Sequence, residues 1–336
     1  MKIGMTHDAR GNSRRANIFE ISLVALLFAL SVTAEAQQRV KIARIGYLAG
    51  AGSSPPSAFV QGLRDLGYIQ GKNIIFEFRG ADGKSERYSE LAAELVRLNT
   101  DVIVADGTIA ALAAKKATSR IPIVMTTATD PVGSGLVVSL AKPGGNVTGL
   151  TSITGEFAGK LLELLREILP AVTRAAVLHP GSIADELFVK EVTIPARALK
   201  IQILSFPIQR AEEIDDAFRG MTREQSNGLI MRLPANTHSA HFKHVAELSV
   251  KNHLPAISPD LRWAEDGGLI SYGTDRSIRY RRASVYVDKI IKGAKPAELP
   301  VEAPTKFELV INLTTAKQLG VTIPESMLFR ADRVIK

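Results

Sequence analysis

Apolar positions in this chain fall into short continuous runs, separated by segments whose apolar residues recur at helical spacing. Ala43 to Leu48 (ARIGYL) is a short apolar run followed by Gly and Ser, as expected of a parallel strand buried on both faces. Phe59, Leu63 and Leu66 then share one helix face, with Gly67 placed as a C-cap. Asn73 to Phe78 (NIIFEF) predicts a second strand. Tyr88, Leu91, Leu95 and Leu98 stripe the next helix, Asp101 to Ala105 predicts a third strand, Thr108 to Ala117 a short Ala-rich helix, and Ile121 to Thr126 a fourth strand. After the break at Pro143-Gly144-Gly145-Asn146 the same grammar resumes. Phe157, Leu161, Leu164, Leu165 and Ile168 form a helix face, and Ala175–Leu178, Ile201–Phe206, Gly228–Met231 and Pro255–Ile257 read as strands with helical patterns between them. Pro195 falls inside the helical pattern Ala184–Lys200, which predicts a break or kink there.

Strands alternating with helices imply parallel sheets covered on both faces. Two such runs joined near residue 150 predict an α/β protein with two doubly wound lobes. The first forty residues have a different pattern. Lys2, Arg10, Arg14 and Arg15 precede the apolar run Ile21 to Val32, and Ala34-Glu35-Ala36 supplies small residues for cleavage. That order predicts a secretory signal peptide over 1–36. The run is too short to span a bilayer of about 30 Å, which needs about 20 apolar residues. A membrane anchor or a misassigned start are the competing readings.

Composition changes the picture little. With 46% apolar residues the chain resembles an ordinary globular protein, and it has no cysteine. An exported chain without cysteine forms no disulfide and has no cysteine to carry a lipid anchor, so the expectation is a soluble periplasmic protein. Net charge is +8, and removing 1–36, with four basic and three acidic residues, leaves +7. The basic residues are scattered, so no nucleic-acid partner is expected.

In open parallel sheets ligands bind beyond the carboxyl ends of the strands. That rule selects the loops Ala49–Ser54, Asp106-Gly107-Thr108 and Thr127–Ser134 in the first run. In the second it selects His179-Pro180-Gly181-Ser182, Leu233–Ser239 and Ser258-Pro259-Asp260. Glycines let backbone N–H groups approach a ligand, and helix N-termini favour carboxylates or phosphates. Asp130 or Asp260 can pair with an ammonium group, although Asp, Ser and Thr at such places also cap helices. Gly50-Ala51-Gly52 and Gly133-Ser134-Gly135 lack the third glycine of a dinucleotide fingerprint. His238, His241 and His244 are spaced by three, but the outer two lie about 240° apart on a helix, so no metal site is expected. No nucleophile elbow or P-loop is present, so no catalytic residue and no cofactor is predicted. Arg276, Arg279, Arg281 and Arg282 form a basic run that suits either a solvated helix face or an anionic partner.

DVIVADGTIAALA (101–113), IPIV (121–124), DPVGSGLV (130–137), PGGNVTGL (143–150), GGLISYG (267–273) and VDKIIKGAKPAELPVEAPTKFELVINL (287–313) together resemble one family. It is the periplasmic substrate-binding proteins of ABC transporters whose better-understood members bind tryptophan and other aromatic amino acids, and the likeness spans about 41–336. The resemblance implies a type I periplasmic-binding-protein fold: two Rossmann-like lobes, a hinge, and a small-molecule ligand between them. It also implies no catalysis, a membrane permease as partner, and a monomer. Carried over by position, ligand contacts fall at Ser53, Gly107, Thr108, Asp130 and Thr151 in the first lobe, and around Ser182, Asn236 and Asp260 in the second. Asp106 adds an unexpected carboxylate where relatives carry a small residue. His179-Pro180-Gly181 and Ser258 stand where aromatic residues are common, which points to a smaller or more polar amino acid or related metabolite.

The expected boundaries are 37–152 plus 273–303 for lobe 1 and 153–272 for lobe 2. Residues 304–336 form a tail crossing the hinge, its final lobe left open. Other functions on this architecture are the effector domain of a transcriptional regulator, a periplasmic enzyme, and a ligand sensor feeding a signalling receptor. The first would need a helix-turn-helix before residue 40, and the second a nucleophile–base or metal constellation. The sequence carries neither, and it does not separate sensing from uptake.

Overall fold

A computed structural model describes residues 1, 42–50, 52–153, 155–233 and 239–336. The predicted signal segment, Asn236 and His238 therefore lie outside the described residues. Contacts separate Met1–Ile42 from Ala43–Lys336, and the architecture below is that of the second unit.

The first run builds β1 (Ala43–Ala49), α1 (Ser57–Asp65), β2 (Ile74–Gly80), α2 (Tyr88–Arg97), β3 (Val102–Ala105), α3 (Thr108–Ala117), β4 (Ile123–Thr129) and β5 (Val147–Ile153). Its sheet has the order β2-β1-β3-β4-β5, and every pairing is parallel. Successive strand residues feed opposite faces. Ile45, Tyr47, Val102, Val104 and Val124 pack with Phe59 and Leu63 of α1, whereas Leu48, Ile103, Ala105 and Met125 pack with Leu91 and Leu95 of α2. That two-sided burial is why these strands read as continuous apolar runs.

The second run builds α4 (Gly155–Ile168), β6 (Arg174–His179), α5 (Ile183–Ala198), β7 (Gln202–Pro207), α6 (Ile214–Arg223), β8 (Gly228–Met231), α7 (Ser239–Lys251), β9 (Ala256–Ser258), α8 (Arg262–Glu265) and β10 (Ile270–Gly273). Then follow α9 (Arg276–Ile291), β11 (Glu308–Asn312), α10 (Leu313–Leu319), α11 (Glu325–Arg330) and β12 (Arg333–Ile335). The second sheet has the order β12-β11-β10-β9-β8-β6-β7, parallel except between β10 and β11. α9 leaves this sheet and returns to the first lobe, where Tyr280, Ala283, Tyr286, Val287 and Ile290 join the cluster of Tyr47 and Phe59. Glu302 then brackets β5, its N–H donating to Gly149 O and its carbonyl accepting from Thr151 N. The tail goes back to the second lobe as β11 and β12.

Pro195 does not break its helix. α5 runs unbroken from Ile183 to Ala198. A proline there removes one donor near the C-terminal end, and Phe188, Val192 and Ala196 bury the same face on both sides of it. Burying Phe188 and Val192 contributes about 1.5–3 kcal/mol each, and Ala196 continues that face past Pro195.

Candidate functional site

A cleft of about 1340 Å³ lies between the two sheets and is lined from both. Its walls are built at the carboxyl ends of the strands. Gly50 follows β1, Asp106 to Ile109 follow β3, and Thr127 and Thr129 end β4. Pro180 to Ser182 follow β6, Arg232 and Leu233 follow β8, and Pro259 to Arg262 follow β9. Gly273 to Arg276 and Arg279-Tyr280 complete the wall from β10 into α9.

The floor is an anionic centre held by hydroxyls. Asp106 Oδ1 accepts from Thr126 Oγ1 at 2.6 Å and Thr127 Oγ1 at 3.4 Å, and its Oδ2 accepts from Tyr280 Oη at 3.0 Å and Tyr47 Oη at 3.5 Å. A carboxylate offers about four acceptor sites; here Thr126 and Tyr280 donate at close range and Thr127 and Tyr47 at the long limit of a hydrogen bond. Burial and the Asp106 charge push the Tyr280 phenol up to about 12, and burial followed by Asp106 pushes Tyr88 to about 12 as well. Burial first, then Asp106, also raises Tyr47. The phenols therefore remain protonated donors at neutral pH. Irregular pairing in β4, with register shifts between Met125 and Ala128 and between Ala128 and Thr129, accompanies this threonine arrangement.

Gly107 sits at φ 102° and ψ 165° at the head of α3, a conformation that favours glycine and sets the helix N-terminus against the cleft. Thr108 Oγ1 accepts from Thr129 N at 2.9 Å, tying α3 to the end of β4. Gly273 is required for closeness: a Cβ there would lie 2.0 Å from Pro259 O.

In the second lobe the charges are internally neutralised. Arg232 pairs with buried Asp185, stacks over Phe188 with 5.2 Å from its guanidinium carbon to the ring centroid, and donates from Nη2 across the cleft to Thr129 Oγ1 at 3.4 Å. Burial lowers the Arg232 pKa to about 10. Arg262 grips Asp260 through Nε at 3.0 Å and Nη2 at 2.6 Å. Burial works to raise the Asp260 pKa, but the Arg262 hydrogen bonds and charge outweigh it and hold the carboxyl below its ordinary value. Ser182 caps α5, with Ser182 N and Oγ both donating to Asp185 Oδ2 at 2.9 and 2.6 Å.

Of the predicted contact residues, Asp106, Gly107, Thr108, Ser182 and Asp260 line the cleft. Three others do not. Ser53 is exposed in the loop after β1 and is not among the lining residues, although Gly50 and Pro56 on either side of it are. Asp130, expected to pair with an ammonium group, is not among the lining residues, and at φ 39° its Oδ1 accepts from Gly133 N at 2.8 Å. Thr151 is buried and donates from Oγ1 to Ala128 O at 2.7 Å. Of the substituted aromatic positions, Pro180 and Gly181 line the cleft, whereas His179 and Ser258 are buried outside the lining. His179 is buried with Nε2 2.8 Å from Ser205 Oγ, and its Nδ1 accepts from Gly181 N at 3.0 Å. Burial and then the Arg232 charge lower its pKa. Ser258 is fully buried and accepts from Asp260 N. Aromatic surface reaches the cleft instead from Tyr88, Phe157 and Tyr280, and Phe157 stacks on Phe307 with centroids 5.0 Å apart. In the sequence Tyr88 and Phe157 read as core stripes of their helices, Tyr280 lies unremarked within the basic run, and a lone arginine after a strand such as Arg232 carries no signal. Of the spaced histidines, His244 Nε2 lies 2.9 Å from Asp215 Oδ2 on the surface.

A family model described as "ABC transporter substrate binding protein" matches residues 55–335. The chain belongs to that family. It is 28% identical over 265 residues to a tyrosine-binding protein of Clostridioides difficile (strain R20291), covering 78% of this chain and 75% of the relative. Among solved structures it resembles a conserved domain protein of Vibrio cholerae, with a TM-score of 0.78, 30% identity and coverage of 88% of this chain and 100% of that one. It also resembles an ABC domain from Streptococcus pneumonia in complex with L-Trp, with a TM-score of 0.77, 29% identity and coverage of 87% and 99%. The expected α/β fold with two parallel-sheet lobes is that of these solute-binding neighbours.

Proposed function

We propose that this substrate-binding protein is an exported, soluble periplasmic receptor that captures an amino acid or related metabolite between its lobes. It hands the bound form to the permease of an ABC transporter as a monomer, with no chemical change to the ligand. The cleft carries this reading: at about 1340 Å³ and lined from both sheets, it has room for a small ligand and two walls that can close on it. The relatives support it, one being named tyrosine-binding and another solved with L-Trp. The contact residues on this reading are the α3 head at Gly107-Thr108, the loops at Gly181-Ser182 and Pro259-Asp260, and the rings of Tyr88, Phe157 and Tyr280. Asp106 serves as the polar floor.

A thermal-shift screen tests it directly. The purified protein, unfolded and refolded to release any bound ligand, is screened against amino acids, organic acids, nucleosides and sugars. A ligand of the closed form adds about 2.7 kcal/mol of stability at a hundredfold excess over its dissociation constant. A sharp rise confined to amino acids and their relatives is the expected result. A rise confined to sugars or nucleosides, or no rise at all, overturns the ligand class.

A further inference from the structure

The charged groups of the cleft are unequally satisfied. On the acidic side, Asp106 accepts from hydroxyls at both oxygens, Asp185 pairs with Arg232, and Asp260 is gripped by Arg262. Asp275, also in the lining, caps α9 by accepting from Ser277 N at 2.7 Å and Ser277 Oγ at 2.8 Å. On the basic side stands Arg279, one turn into the 16-residue helix α9 and part of the cleft wall. Its Nε is buried and has no hydrogen-bond partner among the described residues.

A buried donor left unsatisfied is destabilising, more so in a charged group. Such a group is tolerated where a ligand completes it. A guanidinium presents its N–H groups as a planar fork that matches a carboxylate, and the first turn of a helix adds a favourable field for an anion. Burial, then the neighbouring Arg276 charge, lowers the Arg279 pKa, which an incoming negative charge would reverse. An incoming ammonium group, by contrast, meets aspartates that are already engaged; of the other carboxylates in the lining, Glu265 pairs with Arg333, Glu308 lies 4.0 Å from Lys306 Nζ, and Glu86 is exposed.

We infer that the ligand is held by a carboxylate at Arg279, a residue that sets specificity, and that an α-amino group is dispensable for recognition. The inference rests on the capture function proposed above and narrows its ligand class to carboxylic acids with an apolar body, the body lying against Tyr88 and Tyr280.

The test uses matched trios sharing one side chain: L-tyrosine, 3-(4-hydroxyphenyl)propionate and tyramine; L-leucine, 4-methylpentanoate and 3-methylbutylamine; and L-tryptophan, indole-3-propionate and tryptamine. Each is titrated calorimetrically into the refolded protein and into Arg279→Gln and Arg279→Lys. In at least one trio the amino acid and its deaminated acid bind within about threefold of each other, and the amine does not bind. Arg279→Gln weakens both acids by about a hundredfold, as expected for loss of a charge-assisted pair, and Arg279→Lys recovers part of that loss. The ligand-free melting temperature of Arg279→Gln is expected to stay at or above that of the unmodified protein, which separates lost binding from lost folding. Binding of an amine, dependence on the amino group beyond about thirtyfold, or unchanged affinity in Arg279→Gln overturns the inference and leaves the capture function standing. No binding in any trio overturns the carboxylate assignment, whereas the capture function falls only if the wider screen is flat as well.

Discussion

The two walls of the cleft handle charge in opposite ways. The first-lobe wall holds Asp106 under hydroxyls from four side chains and Asp275 on its own helix cap, and leaves a guanidinium, Arg279, with a buried nitrogen unpartnered among the described residues. The second-lobe wall pairs its charges with each other, Arg232 with Asp185 and Arg262 with Asp260. A self-paired wall is stable in an open cleft and asks nothing of a ligand. A wall with an unmet donor is completed by one. On this account the first lobe supplies charge recognition and the second supplies a preformed lid, which touches the first through Arg232 and Thr129.

The largest expected effect comes from breaking the self-paired wall. Asp185→Ala strands the Arg232 guanidinium, whose side chain is only 19% exposed, and removes the cap of α5. Breaking a buried pair on one side costs about 3–5 kcal/mol, so urea unfolding should show a loss of that size. A loss below about 1 kcal/mol would show the pair to behave like an exposed one. Asp106→Ala comes next. It leaves the hydroxyls of Tyr47, Tyr280 and Thr126 without their acceptor, for an expected cost of about 2 kcal/mol. Adding Tyr280→Phe to Asp106→Ala should cost less than the sum of the single changes, because both remove the same bond.

A pH titration sharpens the contrast further. His179 supports the Gly181 turn of the second wall, and burial with the nearby Arg232 charge depresses its pKa. The unfolded chain protonates this residue near about 6.5, so its contribution is fully present above that pH. It is lost as pH falls from there toward the lower folded value, because the unfolded state then binds more protons. Urea midpoints between pH 7.5 and 5.5 should fall more steeply for the unmodified protein than for His179→Gln. Equal slopes would remove His179 from the account. The smallest effect belongs to Asp130→Ala, which loses one turn-closing hydrogen bond at the surface. About 1 kcal/mol of stability should go, with ligand affinity unchanged in calorimetry. A loss of affinity would return Asp130 to the site.

Strands buried on both faces, such as β1 and β3, were legible as apolar runs, whereas β5, β10 and β12 did not read as strands. The loops beyond β3, β6 and β9 were legible because parallel sheets place ligands at strand carboxyl ends, which selected Asp106, Gly107, Thr108, Ser182 and Asp260. What each side chain does there was not legible. Asp130 and Asp260 look alike in sequence, yet one accepts from its own turn and the other from Arg262, and only the local backbone decides. The strand-end rule selected the stretch holding Thr127 and Thr129, but the irregular pairing at the end of β4 and the Thr126 hydroxyl on Asp106 carried no sequence signal. Pro195 misled for a related reason: its helix is held by long-range packing that a local rule does not count. Arg279 read as part of a basic helix run until the structure showed which face of α9 meets the cleft.

A crystal structure of the refolded protein with whichever carboxylate binds most tightly decides where the ligand's charge is held. Its carboxylate is expected about 2.7–3.0 Å from the Arg279 guanidinium nitrogens, with the apolar body against Tyr88 and Tyr280 and no second-lobe ion pair broken. A ligand bound between the lobes with its carboxylate on the second-lobe wall, displacing Asp185 from Arg232 or Asp260 from Arg262, would contradict that placement.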